Sequence, residues 1–353
     1  MLANKPVIAV THGDINGISY EVILKTFAEP RVYEEFIPVI YGSSKAAAYH
    51  RKQLDIQGVN LNLINSIEEA LPKKINFINC TDDELKVDLG RSTEEAGKAA
   101  LAALQKVVVD MKTGIIDALV TGPINKKNIQ SDAFHFPGHT EFLEEHLGDG
   151  QKALMLLVND VMRVAVVTGH IPVKDIAKKL TTELITETLR ILNRSLKQDF
   201  TIVRPRIAVL GLNPHAGDEG VIGDEEKIIR EAMQAVDKDG ILAFGPYPAD
   251  GFFGSGNFNR YDGILAMYHD QGLIPFKTVS MDQGVNFTAG LPVIRTSPAH
   301  GTAYDIAGKN LASEESFRQA VFMAYDIIKN RALHKEISAN PLKVEEKRGS
   351  RIA

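Results

Sequence analysis

Short apolar runs alternate with longer amphipathic stretches along most of this chain. The runs are rich in aliphatic and β-branched residues and end in turn residues, a pattern typical of buried parallel strands. They lie at residues 7–10, 37–41, 118–121, 155–158, 164–168, 207–212 and 264–268. Amphipathic repeats predict helices at 92–111, 182–196, 224–236 and 313–331, the first opening with a capping box of Ser92 and Glu95. The alternation predicts an α/β fold with a largely parallel sheet.

Three histidines each follow the end of one of these apolar runs. His170, His215 and His269 come after the runs that end near residues 168, 212 and 268. In open α/β proteins ligands bind outside the carboxyl ends of the strands, so the three imidazoles could meet at one edge and hold a divalent metal ion. Neutral imidazoles suit Zn²⁺ best, and Co²⁺ and Mg²⁺ stay open. Each histidine alone is explained equally well as a strand cap bonded to backbone.

A second group of residues indicates recognition of a small anion. Lys277, Asn286 and Arg295 recur at nine-residue intervals within apolar and glycine-rich surroundings. A cation among so many apolar residues needs an anionic partner. That partner is either a ligand or a structural carboxylate, and the sequence leaves both open.

Two turns could place backbone N–H groups against a phosphate. Residues 121–126 follow a predicted strand and residues 137–142 precede a helical stretch, so each is predicted to open a helix whose N-terminus favours anions. Ordinary turns capped by Asn125 and Thr140 explain them as well. The second turn ends an irregular segment, 131–140, that is too polar and too rich in proline and glycine for a core element, and such segments are often functional.

The glycine-rich segments lack the usual dinucleotide-binding fingerprint. Residues 11–17 follow the first strand with the wrong glycine spacing, and residues 254–259 place Asn259 where the last glycine belongs. A nicotinamide cofactor would therefore bind without a Rossmann turn. The loops 213–220 and 297–303 remain as candidates to line its cleft, and ordinary turns account for both almost as well.

Composition narrows the function classes. The net charge is −5 and the lysines and arginines form no stripe, which argues against a nucleic-acid surface. The single cysteine excludes a disulfide framework and a cysteine-based metal site. No apolar stretch approaches the ~20 residues of a membrane span, and the N-terminus lacks the apolar core of a secretion signal. We expect a cytoplasmic protein that acts on a small molecule and binds neither nucleic acid nor membrane.

These motifs together resemble one family. The matching segments are 13–17, 121–126, 136–141, 168–170, 212–217, 248–250, 268–277, 284–292 and 295–302. They are collinear across nearly the whole chain and are similar to 4-hydroxythreonine-4-phosphate dehydrogenases of vitamin B6 biosynthesis. The chain departs from that family in the loop 13–21, where prolines and a glycine are replaced while Asp14, Gly17 and Glu21 remain. We expect this turn to be less rigid than in the family.

The resemblance implies a two-domain α/β/α fold like that of isocitrate and isopropylmalate dehydrogenases. We place the first domain at residues 1–125 and 290–353 and the second, with the dimer interface, at 126–289, and we expect the active site in the cleft between them. The resemblance also implies a homodimer in which His170, His215 and His269 hold the divalent ion, with one ligand donated across the interface. The implied substrate contacts are His139, Thr140, Lys277, Asn286 and Arg295.

The reaction implied by the resemblance is a metal-dependent oxidation by NAD⁺. The C3 alcohol of 4-phosphooxy-L-threonine becomes the ketone of 2-amino-3-oxo-4-phosphooxybutanoate, which loses CO₂ and gives 3-amino-2-oxopropyl phosphate in pyridoxine 5′-phosphate biosynthesis. A metal ion suits both steps, because it lowers the pKa of an alcohol and polarises a ketone. The proton acceptor stays unassigned: Asp250 is one candidate, and a capping role fits it equally well.

Other functions stay open. A paralogous decarboxylating dehydrogenase of D-threonate or D-erythronate 4-phosphate would share the fold, metal and cofactor and would differ only around the C2 group of the substrate. A metal-dependent phosphohydrolase would more often bring clustered carboxylates to a two-metal site. A non-catalytic binder of phosphorylated metabolites would not need an open metal position.

Overall fold

The computed structural model describes residues 5–81, 85–280 and 282–340. The strands within them are β1 (Val7–Thr11), β2 (Ile37–Gly42), β3 (Leu61–Ile64), β4 (Ile75–Asn79), β5 (Ala118–Thr121), β6 (Leu154–Val158), β7 (Arg163–Thr168), β8 (Arg206–Leu210), β9 (Leu242–Tyr247), β10 (Gly263–Tyr268), β11 (Val285–Ala289) and β12 (Ile294–Pro298). The helices are α1 (Ser19–Phe27), α2 (Ser44–Gln53), α3 (Glu94–Met111), α4 (His139–Leu147), α5 (Ile176–Lys179), α6 (Thr182–Gln198), α7 (Glu226–Asp237), α8 (Ala249–Gly254), α9 (His269–Val279) and α10 (Glu315–Ser338). None of the helices in these ranges is long and apolar enough to cross a membrane.

The strands of the described residues form one sheet in the order β3-β4-β2-β1-β5-β12-β11-β6-β7-β10-β8-β9. Pairs from β3 to β12 are parallel, and so are the pairs from β7 to β9. The β12–β11, β11–β6 and β6–β7 pairs are antiparallel. Because these three antiparallel pairs separate the two parallel runs, β5 and β7 point in opposite directions. The largely parallel sheet predicted from the sequence therefore holds outside the central strands.

Helices cover both faces of this sheet. Along β1, Ile8 and Val10 pack in one apolar cluster with α1 and α10, while Val7 and Ala9 pack in another with α3 and α4. This period of two is expected for a strand that is buried on both faces. A further cluster joins β8 and β10 to α9 in the second half. The predicted α/β/α class is confirmed, and the division into two domains at 125–126 and 289–290 stays a prediction.

Helix α3 begins after a different cap from the predicted one. Thr93 is the N-cap, and its Oγ1 accepts the N–H of Ala96 at 3.2 Å. The predicted capping box of Ser92 and Glu95 is therefore wrong. Thr93 takes this position because its hydroxyl is also held by Asn16 Nδ2 at 3.0 Å, a tertiary contact that the local sequence does not reveal.

The segment after β5 does not form a helix. Beyond Thr121 the chain reaches a turn at 126–129, where Asn125 Oδ1 accepts the N–H groups of Lys127 and Asn128 at 2.9 and 3.1 Å. An asparagine bonded to backbone in this way stabilises a turn in place of a helix. The helix predicted to open at 121–126 is therefore wrong, whereas the one expected near 137–142 begins at His139 as α4.

The loop that departs from the family pattern is buried throughout residues 11–20. Asp14 accepts hydrogen bonds from the N–H of Asn16 at 2.9 Å, from Asn128 Nδ2 at 2.8 Å and from the Tyr304 hydroxyl at 2.7 Å. Tyr20 stands at a proline position of the family, and its hydroxyl bonds the backbone at the start of α2. These hydrogen bonds hold the loop in place, and the expectation that it is less rigid than in the family stays a prediction.

Candidate active site

A cavity of about 300 Å³ opens over the central strands β6, β11 and β12. The loop after β5 and the N-terminus of α4 line it from the first half of the sheet, and the ends of β7 and β10 with α9 line it from the second half. Because β5 and β7 point in opposite directions, the loops that follow them leave the sheet at opposite ends of the strands. They meet over its face, so the cavity lies between the two halves.

The cavity collects most of the residues predicted from the sequence. Those that line it are His139, Thr140, Lys277, Asn286, Arg295, His170 and His269. His215 and Asp250 do not line it, and both are exposed. One chain thus brings together the predicted substrate residues and two of the predicted metal ligands, while the roles of all of them stay predictions.

Arg295 forms the buried end of the cavity. It is 3% exposed, and its guanidinium donates to Thr121 Oγ1 at 2.6 and 3.0 Å and to Thr288 Oγ1 at 3.2 Å. Burial lowers the pKa of Arg295 to about 10, so the group keeps its charge at neutral pH. Among the described residues, no carboxylate lies within ion-pair distance of it. A buried cation with only neutral partners is suited to an anion that a ligand brings.

His139 adds a neutral donor beside Arg295. Burial, followed by the charges of Arg295 and Lys126, holds the pKa of His139 well below its ordinary value. Its Nδ1 accepts from Arg295 Nη2 at 3.2 Å, so Nε2 carries the proton and is free to donate. His139 is also the first residue of α4, whose N-cap Gly138 offers no side-chain cap. The helix N-terminus and the imidazole therefore both favour an anion at this end.

His170 and His269 form the open end of the cavity. They follow β7 and β10, which are parallel neighbours, and their ring centroids are 5.7 Å apart. His269 Nδ1 lies 2.6 Å from Asp270 Oδ1, which leaves Nε2 with its lone pair free. Desolvation and the ammonium of Lys126 lower the pKa of His170, so this imidazole is neutral. Two imidazole side chains, one oriented by a carboxylate, are a donor set that fits a divalent ion.

His215 follows β8, the neighbour of β10, so the three histidines do follow strands that end at the same edge. His215 lies on an exposed turn, however, outside the cavity. In the part of the chain that the structure describes, no three His, Cys, Asp or Glu side chains come close enough together to hold a metal ion. The pair His170 and His269 therefore lacks its predicted third ligand within one chain.

The turn that carries His215 has an unusual backbone. Residues 215–219 all have φ between 43° and 79°, the left-handed region. For residues other than glycine this conformation costs roughly 1–2 kcal/mol each, so the surrounding structure must hold it. Glu226 supplies part of that support: it is 2% exposed and accepts the N–H of Asn213 at 2.8 Å.

Sequence reasoning did not single out Lys126, Glu141 or His300, which also line the cavity. Lys126 Nζ lies 2.9 Å from His170 Nε2, and Glu141 is the one carboxylate among the described lining residues. His300 Nε2 is buried without a hydrogen-bond partner. His300 lies in the loop 297–303, a predicted cofactor-cleft candidate, whereas the other candidate loop, 213–220, does not line the cavity. The available signal was position, because each residue stands inside a motif that holds a predicted site residue or cleft candidate.

Comparison with known proteins gives a consistent picture. A family model described as "Pyridoxal phosphate biosynthetic protein PdxA" matches residues 34–324. A 4-hydroxythreonine-4-phosphate dehydrogenase from Bacteroides thetaiotaomicron is 58% identical over 344 residues, covering 97% of this chain and 94% of that protein. One from Sulfurihydrogenibium sp. is 43% identical, covering 90% and 97%.

Solved structures agree with this picture. The crystal structure of 4-hydroxythreonine-4-phosphate dehydrogenase from Klebsiella pneumoniae matches with a TM-score of 0.80 at 34% identity, covering 92% of this chain and 99% of that one. The fold class predicted from the sequence, of the isocitrate and isopropylmalate dehydrogenase type, is therefore confirmed.

Proposed function

Because the chain belongs to the PdxA family of pyridoxal phosphate biosynthetic proteins, we propose that it is an NAD-dependent and metal-dependent dehydrogenase of 4-phosphooxy-L-threonine. The C3 alcohol is oxidised to 2-amino-3-oxo-4-phosphooxybutanoate, which loses CO₂ to give 3-amino-2-oxopropyl phosphate. We propose the cytoplasm as its compartment. The observation that carries the proposal is a buried Arg295 without a carboxylate partner in the same cavity as the histidine pair His170 and His269.

The buried end of the cavity supports phosphate binding. Arg295, His139 Nε2 and the N-terminus of α4 offer donors and positive charge there, and Thr140 adds a hydroxyl. Asn286 Oδ1 is buried without a hydrogen-bond partner, so it suits an N–H or O–H donor of the substrate. Lys277 is exposed on α9 and adds charge at the rim.

The open end supports the two cofactors. His170 and His269 would hold a divalent ion, which we propose to be Zn²⁺ in preference to Mg²⁺ or Co²⁺ because both donors are imidazoles. When bound, such an ion supplies a Lewis acid that lowers the pKa of an alcohol. NAD⁺ supplies the hydride acceptor, and the loop 297–303 lines the side of the cavity where we place it.

We propose a homodimer in which His215 of one chain completes the metal site of the other. Its exposure outside the cavity supports this exchange. The test is co-expression of a His170→Ala chain with a differently tagged His215→Ala chain. If His215 crosses the interface, the mixed dimer keeps one intact site and regains activity that neither variant has alone. A mixed dimer as inactive as both parents would contradict the exchange.

The activity itself is tested by following NADH formation with Zn²⁺-loaded protein. We expect turnover of 4-phosphooxy-L-threonine and CO₂ release at the same rate. Oxidation of D-threonate or D-erythronate 4-phosphate instead would assign the chain to the paralogous activity. Release of inorganic phosphate without NADH would indicate a phosphohydrolase, and tight substrate binding with no turnover would indicate a binding protein.

A further inference from the structure

Lys126 holds an ammonium group at the open end of the cavity with a single neutral partner. It lies in the loop after β5, and its Nζ donates to His170 Nε2 at 2.9 Å. No described carboxylate is within ion-pair distance of it.

This contact cannot persist when His170 binds a metal ion, because a neutral imidazole nitrogen has one lone pair. Lys126 would then be a free ammonium beside a divalent ion. The ammonium and the divalent ion repel each other, because both are positively charged. An anionic group placed between the two cations removes that repulsion and satisfies both.

The substrate of the proposed function carries two anions of different charge. Its phosphate approaches a dianion, and its carboxylate is a monoanion at the other end of the molecule. The buried end of the cavity offers a guanidinium, an imidazole N–H and a helix N-terminus, which suit the dianion. The open end offers the ammonium of Lys126, which suits the monoanion.

We infer that Lys126 binds the carboxylate of the substrate, while Arg295 and the N-terminus of α4 bind its phosphate. This assignment rests on the proposed function and deepens it. Lys277, the other lysine of the lining, has no hydrogen bond among the described residues that sets its position. Lys126 Nζ lies 2.9 Å from His170 Nε2, so a carboxylate bound by Lys126 lies next to the histidine pair.

The test uses two probes that cannot be oxidised. O-phospho-L-homoserine is the substrate without its C3 hydroxyl, and 3-aminopropyl phosphate is the same molecule without the carboxylate. Calorimetry on the full-length, Zn²⁺-treated protein gives a dissociation constant for each. We expect the wild type to bind O-phospho-L-homoserine about tenfold more tightly than 3-aminopropyl phosphate, which is equivalent to about 1.4 kcal/mol.

Lys126→Met should remove this preference and leave 3-aminopropyl phosphate binding unchanged. Lys126→Arg should restore it, because the charge returns. Lys127→Met is the matched control, since Lys127 is an exposed neighbour on the same loop outside the cavity lining. Equal weakening of both probes by Lys126→Met would show that Lys126 binds phosphate, and that result would overturn the inference.

Two further results would also overturn it. One is a wild type that binds both probes equally, and the other is a preference lost in Lys277→Met but kept in Lys126→Met. Neither depends on turnover, so the outcome is separate from the activity assay. Failure of NADH formation with an intact probe preference would reject the proposed reaction and keep the carboxylate site.

Discussion

The two ends of the cavity are built in opposite ways. At the buried end, Arg295 is 3% exposed and is fixed by hydroxyl groups on neighbouring strands and by His139. At the open end, Lys126 and His170 are exposed and hold each other through one contact. The buried end is therefore the more firmly held of the two.

This difference separates an end of the cavity that is already arranged to bind an anion from an end that has to be assembled. The buried end is pre-formed, because its donors are bonded to one another before any ligand arrives. The open end places two histidines 5.7 Å apart, and under the proposed function an ion, an anion and a third histidine from the partner chain complete it. Variants at the two ends should therefore fail in different measurements.

The largest effect is expected at the buried end. Arg295→Met should lower kcat/KM about a thousandfold, or about 4 kcal/mol, because it removes the buried charge that we propose neutralises phosphate. Calorimetry with inorganic phosphate should show the same loss, with Zn²⁺ binding unchanged. Arg295→Lys should recover part of it, since the charge returns without the planar fork. A loss below tenfold would mean that phosphate binds elsewhere.

The complementary variant is His170→Ala at the open end. We expect Zn²⁺ affinity to fall about a hundredfold, measured by competition with a chromogenic chelator, while phosphate affinity stays near that of the wild type. His135→Ala is the control, because His135 is exposed and does not line the cavity. If phosphate and Zn²⁺ affinities fell together, the two ends would form one coupled unit and the contrast would be wrong.

A pH titration of stability tests the contribution of the buried histidine His12. Burial lowers the pKa of His12 in the fold to about 4 from an ordinary value of 6.5. The unfolded chain therefore takes up the proton first as the pH falls. The stability that is linked to this pKa shift of His12 is fully present above pH 6.5 and is lost between pH 6.5 and about 4.

For His12→Gln we expect the loss of unfolding free energy between pH about 6.5 and about 4.5 to be smaller by about 2 kcal/mol, measured by urea denaturation. The backbone of His12 packs closely against Gly122 of the loop that lines the cavity. A Cβ added at Gly122 would lie only 2.7 Å from the His12 carbonyl oxygen. A His135→Gln control should keep the wild-type profile. An unchanged profile in His12→Gln would place the pH sensitivity in other groups.

The smallest effect is expected from Asp270, which contacts a predicted ligand but not the ion. Asp270→Asn removes the charge that orients His269 and should weaken Zn²⁺ binding about tenfold. Phosphate binding and the free energy of unfolding should stay unchanged, since Asp270 is exposed. A loss as large as that of His170→Ala would instead make Asp270 a direct ligand.

Sequence patterns predicted uniformly apolar strands and missed two of the three strands beneath the cavity, β11 and β12. β5 was predicted with its observed bounds, because every residue in it is buried and aliphatic or threonine. β11 and β12 were missed, since Asn286, Thr288 and Arg295 interrupt their apolar runs. These polar residues are tolerated in buried strands because they line the cavity or bond within it. The polar residues of the candidate site thus interrupt the apolar pattern by which their strands would be recognised.

The shared edge of the three histidines was predictable, because it follows from where strands end. The position of His215 was not. A left-handed turn in which four of the five residues are not glycine opposes local backbone preference, and Asn213 beside it is held by Glu226, 11 residues beyond His215. Such a turn needs tertiary structure to exist, so local patterns cannot reveal it.

The left-handed turn at 215–219 also creates a conflict for laboratory evolution. Glycine at Asp218 or Glu219 would relieve the positive φ angles and would be favoured in any library screened for heat resistance alone. The same change would give the backbone around His215 access to many more conformations. A screen that rewards both survival at high temperature and metal retention should instead keep the costlier residues, and the contrast between two such lineages would show what selection preserves there.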